Sequence, residues 1–241
     1  MSTPQTGSTS KPFKEYLLQR TIRACEVAKA AAAAAAEGIA AGSAASLDCI
    51  HELEKELDAL DREIDAGVTL AITHPGGGEA PVLLACMKFA ISLDRIGDLL
   101  LSFSANAQAV GRKLDPGDKR DLTQMATALE KMLSNVGEAF ATRDVGKAVH
   151  VLRADAEIDR LRNLIFLRYI EGPHNSQRHA GLQVIFMTQS LDRAGDHAKN
   201  LAEEVCHLVS GGATCDVLKT YDKPIEEMFL ESLRQQQEIL K

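Results

Sequence analysis

The sequence predicts an all-α protein built as a tandem pair of three-helix bundles, and three features carry that prediction: composition, turn residues and an internal duplication. Alanine, leucine and charged residues dominate the 241-residue chain, while aromatic residues make up only 4% and tryptophan is absent. This composition favours helices over strands. The chain is long enough to bury a core either as one large domain or as two small ones.

Runs with helical periodicity are separated by turn signals rich in Gly and Pro, such as Gly42-Ser43, Asp115-Pro116-Gly117 and Gly172-Pro173. The pattern predicts six helices, at residues 13–41, 45–73, 79–110, 118–142, 145–171 and 178–209. A seventh helix is predicted from about 220 to 239. The alanine-rich first helix is expected to pack closely on its neighbours.

The two halves of the chain are copies of each other. The segment 54–58 matches 155–159 at an offset of 101 residues, and 94–98 matches 192–196 at an offset of 98. A period near 100 residues is too long for a solenoid and indicates two equivalent bundles. The predicted organisation is a disordered tail (1–11), a first repeat (12–112), a second repeat (113–212) and a C-terminal helix (213–241).

Charge and cysteine content exclude several classes of function. A net charge of -7 with no cluster of Lys and Arg argues against nucleic-acid binding. Five cysteines without C-x-x-C spacing favour neither a disulfide framework nor a thiolate zinc site, and a reducing compartment is expected. The first residues lack the apolar core of a signal peptide, and no run is long enough to span a bilayer. We therefore expect a cytoplasmic protein without direct membrane insertion.

Each half carries two pairs of carboxylates at i, i+4 spacing, which places both side chains of a pair on one helix face. Every pair lies one residue after the apolar seam of its helix, so the flanks that carry the pairs should meet in an antiparallel hairpin. The pairs are also equidistant from the hairpin turns. Four carboxylates should therefore gather in each half: Glu54, Asp58, Asp94 and Asp98 in the first cluster, and Asp155, Asp159, Asp192 and Asp196 in the second cluster.

Carboxylates gathered in this way need a counter-charge, because two charges about 5 Å apart at an effective dielectric of about 20 repel by roughly 3 kcal/mol. Protonation, arginine or metal can offset that repulsion. Arg95 and Arg193 follow the motif aspartates but point about 100° away round the helix, so metal is the favoured interpretation. Carboxylate oxygens suit Mg, Ca, Mn or ferric iron, and carboxylates that bridge two ions suit multinuclear sites.

The segment from Asp192 to Glu203, DRAGDHAKNLAE, resembles the E/D-R-I-G-D-x-A-x-N-I-A-E helix of the PhoU family, and Asp94 to Asp98 resembles its first part. The resemblance covers most of the chain, from about Phe13 to Val209. It implies two PhoU-like bundles whose eight acidic residues hold multinuclear metal clusters, with Fe or Zn favoured and Mn, Mg or Ca as further candidates.

The resemblance also implies a regulator of phosphate uptake and phosphate-responsive signalling, which docks to a phosphate ABC transporter and its sensor histidine kinase. The resemblance is also compatible with a homodimer. The second cluster is expected to bind metal more tightly, because Asn200 and Glu203 stand where the first half has Ser102 and Ala105.

Two other functions stay open. A ferritin-like carboxylate-bridged di-iron protein needs two E-x-x-H motifs, and the sequence offers Glu204-Val205-Cys206-His207 alone. A metal-free helical adaptor is the other alternative. No nucleotide-binding loop or nucleophile elbow is present, so we expect no catalysis.

Overall fold

The computed structural model describes residues 10–73, 79–171 and 178–210. Within these ranges the chain forms six long helices and a short 3-10 turn at Gly111–Lys113. The helices are α1 (Ser10–Ala41), α2 (Ala44–Thr73), α3 (Ala80–Val110), α4 (Pro116–Thr142), α5 (Val145–Glu171) and α6 (Arg178–Ser210). The all-α prediction is confirmed.

Helix ends follow the turn chemistry of the sequence. Asp115 caps α4 by accepting a 2.8 Å hydrogen bond from the Gly117 amide, and Pro116 fills the first helical position. Helix α1 begins at Ser10, inside the predicted tail 1–11, because a proline at position 12 is compatible with a first helical turn. The predicted seventh helix at 220–239 lies outside the described residues.

The helices are arranged as two bundles joined through a common centre. Helices α1, α2 and α3 pack on one another, and α4, α5 and α6 do the same. Across the join, α1 packs along α4 and α3 packs along α6. Helices α2 and α5 therefore lie on the outside, each covering one side of a four-helix centre, and one hydrophobic core runs through both bundles.

The alanines of α1 make the join between the bundles close, as the sequence predicts. Five buried positions of α1 carry alanine, whereas the equivalent buried positions of α4, 101 residues later, carry larger side chains. The alanines are Ala24, Ala28, Ala31, Ala32 and Ala35, and their counterparts are Met125, Leu129, Met132, Leu133 and Val136. On the α4 side, a Cβ atom added to Gly137 would lie 3.0 Å from Cys25 Cβ. Such small residues let two helix backbones approach each other.

No helix in the described part of the chain combines the length and apolar character that crossing a membrane requires. None of the four described cysteines forms a disulfide, and burial raises the pKa of Cys25 to about 12.

A buried ion-pair network joins the start of α4 to the end of α5. Arg168 donates hydrogen bonds to Asp118 and Asp121, which are only 1% and 2% exposed, and the Tyr169 hydroxyl donates to Asp118. Burial alone would raise the pKa of Asp121, but hydrogen bonds from Arg168 and Arg120 outweigh it and hold the pKa below its ordinary value.

In the first repeat, the positions equivalent to this ion pair carry no charge. The positions 101 residues before Asp118 and Arg168 are Leu17 and Gly67, and a Cβ atom on Gly67 would lie 2.7 Å from Leu17 Cδ2. An apolar contact in one repeat is therefore an ion pair in the other. The second repeat depends on both partners, because removing one leaves the other buried and uncompensated.

We predict that Arg168→Met lowers the free energy of unfolding by about 3–5 kcal/mol, because it leaves Asp118 and Asp121 without their shared cation. The matched control is Arg160→Met on the same helix. Arg160 pairs with Glu157 at the surface, so its loss should cost no more than about 0.5 kcal/mol. Urea denaturation followed by circular dichroism measures both.

The pH dependence follows from the lowered pKa of Asp121. A lowered folded-state pKa contributes stability above the ordinary value of 3.8, and that contribution disappears as the pH falls through the folded-state pKa. The gap between wild type and Arg168→Met should therefore narrow in acid. Equal stability of the two proteins at neutral pH would contradict this account of the network.

Candidate metal centre

The site is built on the close approach of two helices in each hairpin. A Cβ atom on Gly97 of α3 would lie 2.9 Å from Leu57 Cδ1 and 3.7 Å from Glu54 Cγ of α2. A Cβ atom on Gly195 of α6 would lie 3.1 Å from Ile158 Cδ1 and 3.5 Å from Asp155 Oδ1 of α5. Each glycine lies between the two aspartates of a D-R-x-G-D motif. The close approach at the glycine therefore places these aspartates near the opposing helix.

In the first cluster the α2 and α3 carboxylates lie within electrostatic range of one another. Burial raises the pKa of Asp94, and the charges of Asp61, Asp98 and Asp58 raise it further. Glu54 Cγ would lie 3.7 Å from a Cβ atom on Gly97, so Glu54 contacts the segment of α3 between Asp94 and Asp98. Three of the four predicted residues of the first half, Asp58, Asp94 and Asp98, thus act on one another electrostatically, and Asp61 joins them.

Two arginines accompany the first cluster, and both form their ion pairs at its exposed edge. Arg62 Nη1 lies 2.6 Å from Asp58 Oδ2 on the same helix, and Arg95 Nη1 lies 3.1 Å from Asp98 Oδ2. All four side chains are about half exposed or more, and solvent screens ion pairs of this kind strongly. The half-buried Asp94 and Asp61 take no part in these ion pairs. Burial raises the pKa of both, and the charge of Arg95 opposes part of that rise in each case, as does the charge of Arg62 for Asp61.

The second cluster contains its own cations. Arg162 lies 2.8 Å from Asp159 on its own helix and 2.7 Å from Asp192 on α6, so it bridges the two sides of the hairpin. Lys199 Nζ lies 3.4 Å from Asp155 Oδ2. Burial raises the pKa of Asp155 and of Asp192, and these cations oppose that rise. Arginine and lysine thus oppose the effects of burial and of the neighbouring carboxylates, although the pKa of Asp155 and of Asp192 stays above its ordinary value.

The sequence analysis missed Asp61, Arg162 and Lys199, although the duplication points to them. Asp61 and Arg162 occupy equivalent positions 101 residues apart, and the counterpart of Lys199, 98 residues earlier, is Leu101. A carboxylate and an apolar residue in the first half are therefore replaced by two cations in the second. Comparing the repeats beyond the acidic motifs would have found this difference.

No group of three or more His, Cys, Asp and Glu side chains is arranged to hold a metal ion within the residues that the structure describes. The donor chemistry still differs between the clusters. The first cluster has five carboxylates and two arginines that form exposed ion pairs. The second cluster has four carboxylates, and Arg162 and Lys199 form ion pairs with them. The half-buried carboxylates of the second cluster therefore have cationic side chains within ion-pair distance, and Asp61 and Asp94 of the first cluster form none of these ion pairs.

The residues proposed to support the second cluster lie beyond it, along α6. Asn200 and Glu203 line a cavity of about 400 Å³ between α3 and α6, together with His207. Glu204, the first residue of the E-x-x-H motif, accepts a 2.6 Å hydrogen bond from Lys88 of α3. These side chains therefore belong to the groove between the bundles.

Two three-helix repeats, with carboxylates gathered in each outer hairpin, define a class of duplicated, acidic helical-bundle proteins. Residues 122–205 match the profile described as PhoU domain. Phosphate-specific transport system accessory protein PhoU homologs are similar in sequence. The one from Zymomonas mobilis is 29% identical over 67% of this chain and 70% of its own length, and the one from Pseudomonas aeruginosa is 29% identical over 67% and 69%.

Solved structures show the same fold. The crystal structure of PhoU from Pseudomonas aeruginosa has a TM-score of 0.76 at 22% identity, covering 83% of this chain and 99% of that one. The phosphate transport system regulatory protein PhoU from Streptococcus pneumoniae gives a TM-score of 0.69 at 19% identity, covering 84% and 98%. This chain is therefore similar to PhoU proteins in the sequence of its second half and in its fold.

Proposed function

We propose that this chain regulates phosphate uptake and phosphate-responsive signalling by docking to a phosphate transporter and its sensor kinase. Similarity to PhoU proteins supports the phosphate system as its setting, because the similar proteins are named as accessory proteins of phosphate-specific transport. The outer hairpins supply the surface: each exposes carboxylates on paired helices of a rigid bundle. Docking needs no reacting group, and we expect no turnover.

The second part of the proposal is that the first cluster binds divalent or ferric cations. Asp61 and Asp94 are the observation that carries it, since both are half-buried and burial raises the pKa of both. Glu54, Asp58 and Asp98 complete the donor set. Oxygen donors suit Mn, Mg, Ca and Fe, and carboxylates also ligate Zn. A bound ion would neutralise the cluster and hold α2 against α3.

The ion pairs favour the opposite ranking of the two clusters from the one expected from sequence. That expectation rested on Asn200 and Glu203, which lie along the groove to α3. Arg162 and Lys199 instead compensate Asp159, Asp192 and Asp155. An ion entering the second cluster must displace or repel these cations, so the first cluster should bind metal more tightly.

The two alternative functions, a di-iron protein and a metal-free adaptor, can be distinguished from the proposal. A di-iron protein would use Glu204 and His207, but Glu204 is paired with Lys88 and is only 12% exposed. A metal-free adaptor keeps the docking surface without the ions. Metal content therefore separates the proposal from the adaptor, while phosphate signalling tests both against a function outside phosphate transport.

We predict that exchanging residues between the repeats moves the metal site. Asp61→Arg gives the first cluster the residue of the second and should abolish tight binding of Mn²⁺ and Zn²⁺ there. The double variant Arg162→Asp/Lys199→Leu gives the second cluster the residues of the first and should create a site. Isothermal titration calorimetry and elemental analysis of protein made without a histidine tag measure both changes.

The control is Glu52→Arg, which makes the same charge change at an exposed position of α2 that pairs with Lys55. It should leave metal affinity nearly unchanged. At a hundred times the dissociation constant, each occupied site should add about 2.7 kcal/mol to the stability of the folded chain. Unaltered binding in Asp61→Arg, or tight binding by the second cluster of the wild type, would overturn the assignment.

We predict that deleting the gene from the host raises phosphate-responsive transcription when phosphate is abundant, because the docked regulator no longer damps the signal. A reporter gene and phosphate accumulation measure the effect. Wild-type protein should restore repression, and Asp61→Arg tests whether the metal matters for it. Normal transcription and normal accumulation in the deletion strain would contradict the proposed function.

A further inference from the structure

A cavity of about 400 Å³ lies between α3 and α6, on the seam where the two repeats meet. Lys88, Ile91 and Ser92 form its wall on α3, and a run of mostly polar side chains from Asn200 to His207 forms its wall on α6. Pockets that bind small molecules typically measure about 300–1,000 Å³. The cavity therefore has the size of a site for a small ligand, and none of the predicted metal ligands is among the residues that line it.

The residues that line the cavity carry more negative than positive charge. Lys88 Nζ lies 2.6 Å from Glu204 Oε2, and the Glu204 side chain is only 12% exposed. Glu203 also lines the cavity, and it forms no hydrogen bond or ion pair within the part of the chain that the structure describes. With histidine counted as neutral, two carboxylates against one ammonium leave one negative charge, which Glu203 supplies. The lining can therefore accept one further cation.

The contact between α3 and α6 relates this cavity to an equivalent position in the other half of the molecule. Lys88 pairs with Glu204, while Arg95, seven residues later on α3, acts electrostatically on His197, seven residues earlier on α6. The two helices therefore run antiparallel. The offset of 98 residues between the repeats then exchanges the two ends of their contact.

The three charged residues of the lining have no charged counterparts at the other end of the contact. Lys88, Glu203 and Glu204 correspond, 98 positions away, to Phe186, Ala105 and Asn106. Packing of α3 against α6 therefore does not require these charges. The ion pair between Lys88 and Glu204 holds the two helices together, but Glu203 takes no part in it. Glu203 is thus a charge in a cavity wall that the fold does not explain.

A primary ammonium group suits the acceptors of this wall. The cavity already contains one example, since the ammonium of Lys88 binds Glu204. An ammonium has three N–H donors, and Glu203, Asn200 and Ser92 offer a carboxylate, an amide carbonyl and a hydroxyl as acceptors. A divalent metal ion suits the wall less well, because such ions take several oxygen ligands and one of the two carboxylates is already paired.

The apolar part of the wall indicates what the ammonium is attached to. Ile91 and Leu201 both line the cavity, and Ile91 is 53% exposed although its side chain is apolar. A short methylene chain that packs against these two side chains removes apolar surface from water, while its charged end stays on the carboxylate.

We propose that the cavity between α3 and α6 binds a small aliphatic amine, such as a diamine, whose ammonium binds Glu203 and whose methylene chain packs on Ile91 and Leu201. Lys88 stays on Glu204 and keeps that carboxylate compensated. Because the ligand contacts both helices, it joins the first repeat to the second. Its site is separate from the acidic clusters and adds a ligand to the metal ions and docking partners proposed above.

Titration of the isotope-labelled full-length chain with putrescine tests the site, at an ionic strength held constant with KCl. We expect saturable shifts of the backbone amides of residues 88–92 and 200–207 in NMR spectra. Glu203→Gln removes the charge and keeps the size, so it should weaken binding by about 10–100-fold, the loss expected for one hydrogen bond to a charged group. Glu52→Gln makes the same change at an exposed position of α2 and should leave the affinity unchanged.

The uncharged diol with the same four-carbon chain is the control ligand and should not bind. Thermal unfolding followed by circular dichroism checks that both variants fold like the wild type. A titration without saturation, or a Glu203→Gln protein that binds putrescine as tightly as the wild type, would overturn the proposal. Shifts confined to the acidic clusters, or an equal response to the diol, would overturn it as well.

Discussion

The candidate site depends on the contact between a glycine of one helix and a branched side chain of the next. Gly97 against Leu57, and Gly195 against Ile158, let the outer helix of each bundle approach the centre of the molecule. Because each glycine stands between two aspartates of a D-R-x-G-D motif, the contact that packs the core also gathers the carboxylates. A larger residue would separate the helices and disperse the charges.

The two repeats have kept this contact and changed the chemistry around it. In the first repeat Asp61 adds a carboxylate, and the arginines stay at the exposed edge. In the second, Arg162 and Lys199 compensate the carboxylates from within the protein. The second repeat also differs at the start of α4, where it has an ion pair in place of the contact between Leu17 and Gly67. The two repeats therefore share the close contact between their helices but differ in the charged side chains around it.

The fold could be predicted from the sequence because helical periodicity and Gly/Pro turns are local signals, and the duplication repeats them. The prediction that eight carboxylates gather in two clusters rests on their distance from each hairpin turn. The counter-charges could not be predicted in this way, because a long side chain such as Arg162 can reach Asp192 on another helix, 30 positions away. Sequence spacing fixes where a Cβ atom points, whereas the partner of a flexible cation depends on the packed structure.

The central claim is that the first cluster accepts a metal ion and the second holds its own cations. Anomalous diffraction from crystals grown in Mn²⁺ tests it most directly, because the scattering locates each ion by position rather than by stoichiometry. The account predicts a peak between α2 and α3, beside Asp61 and Asp94, and no peak between α5 and α6. A peak at the second cluster alone, or peaks of equal height at both, would contradict it.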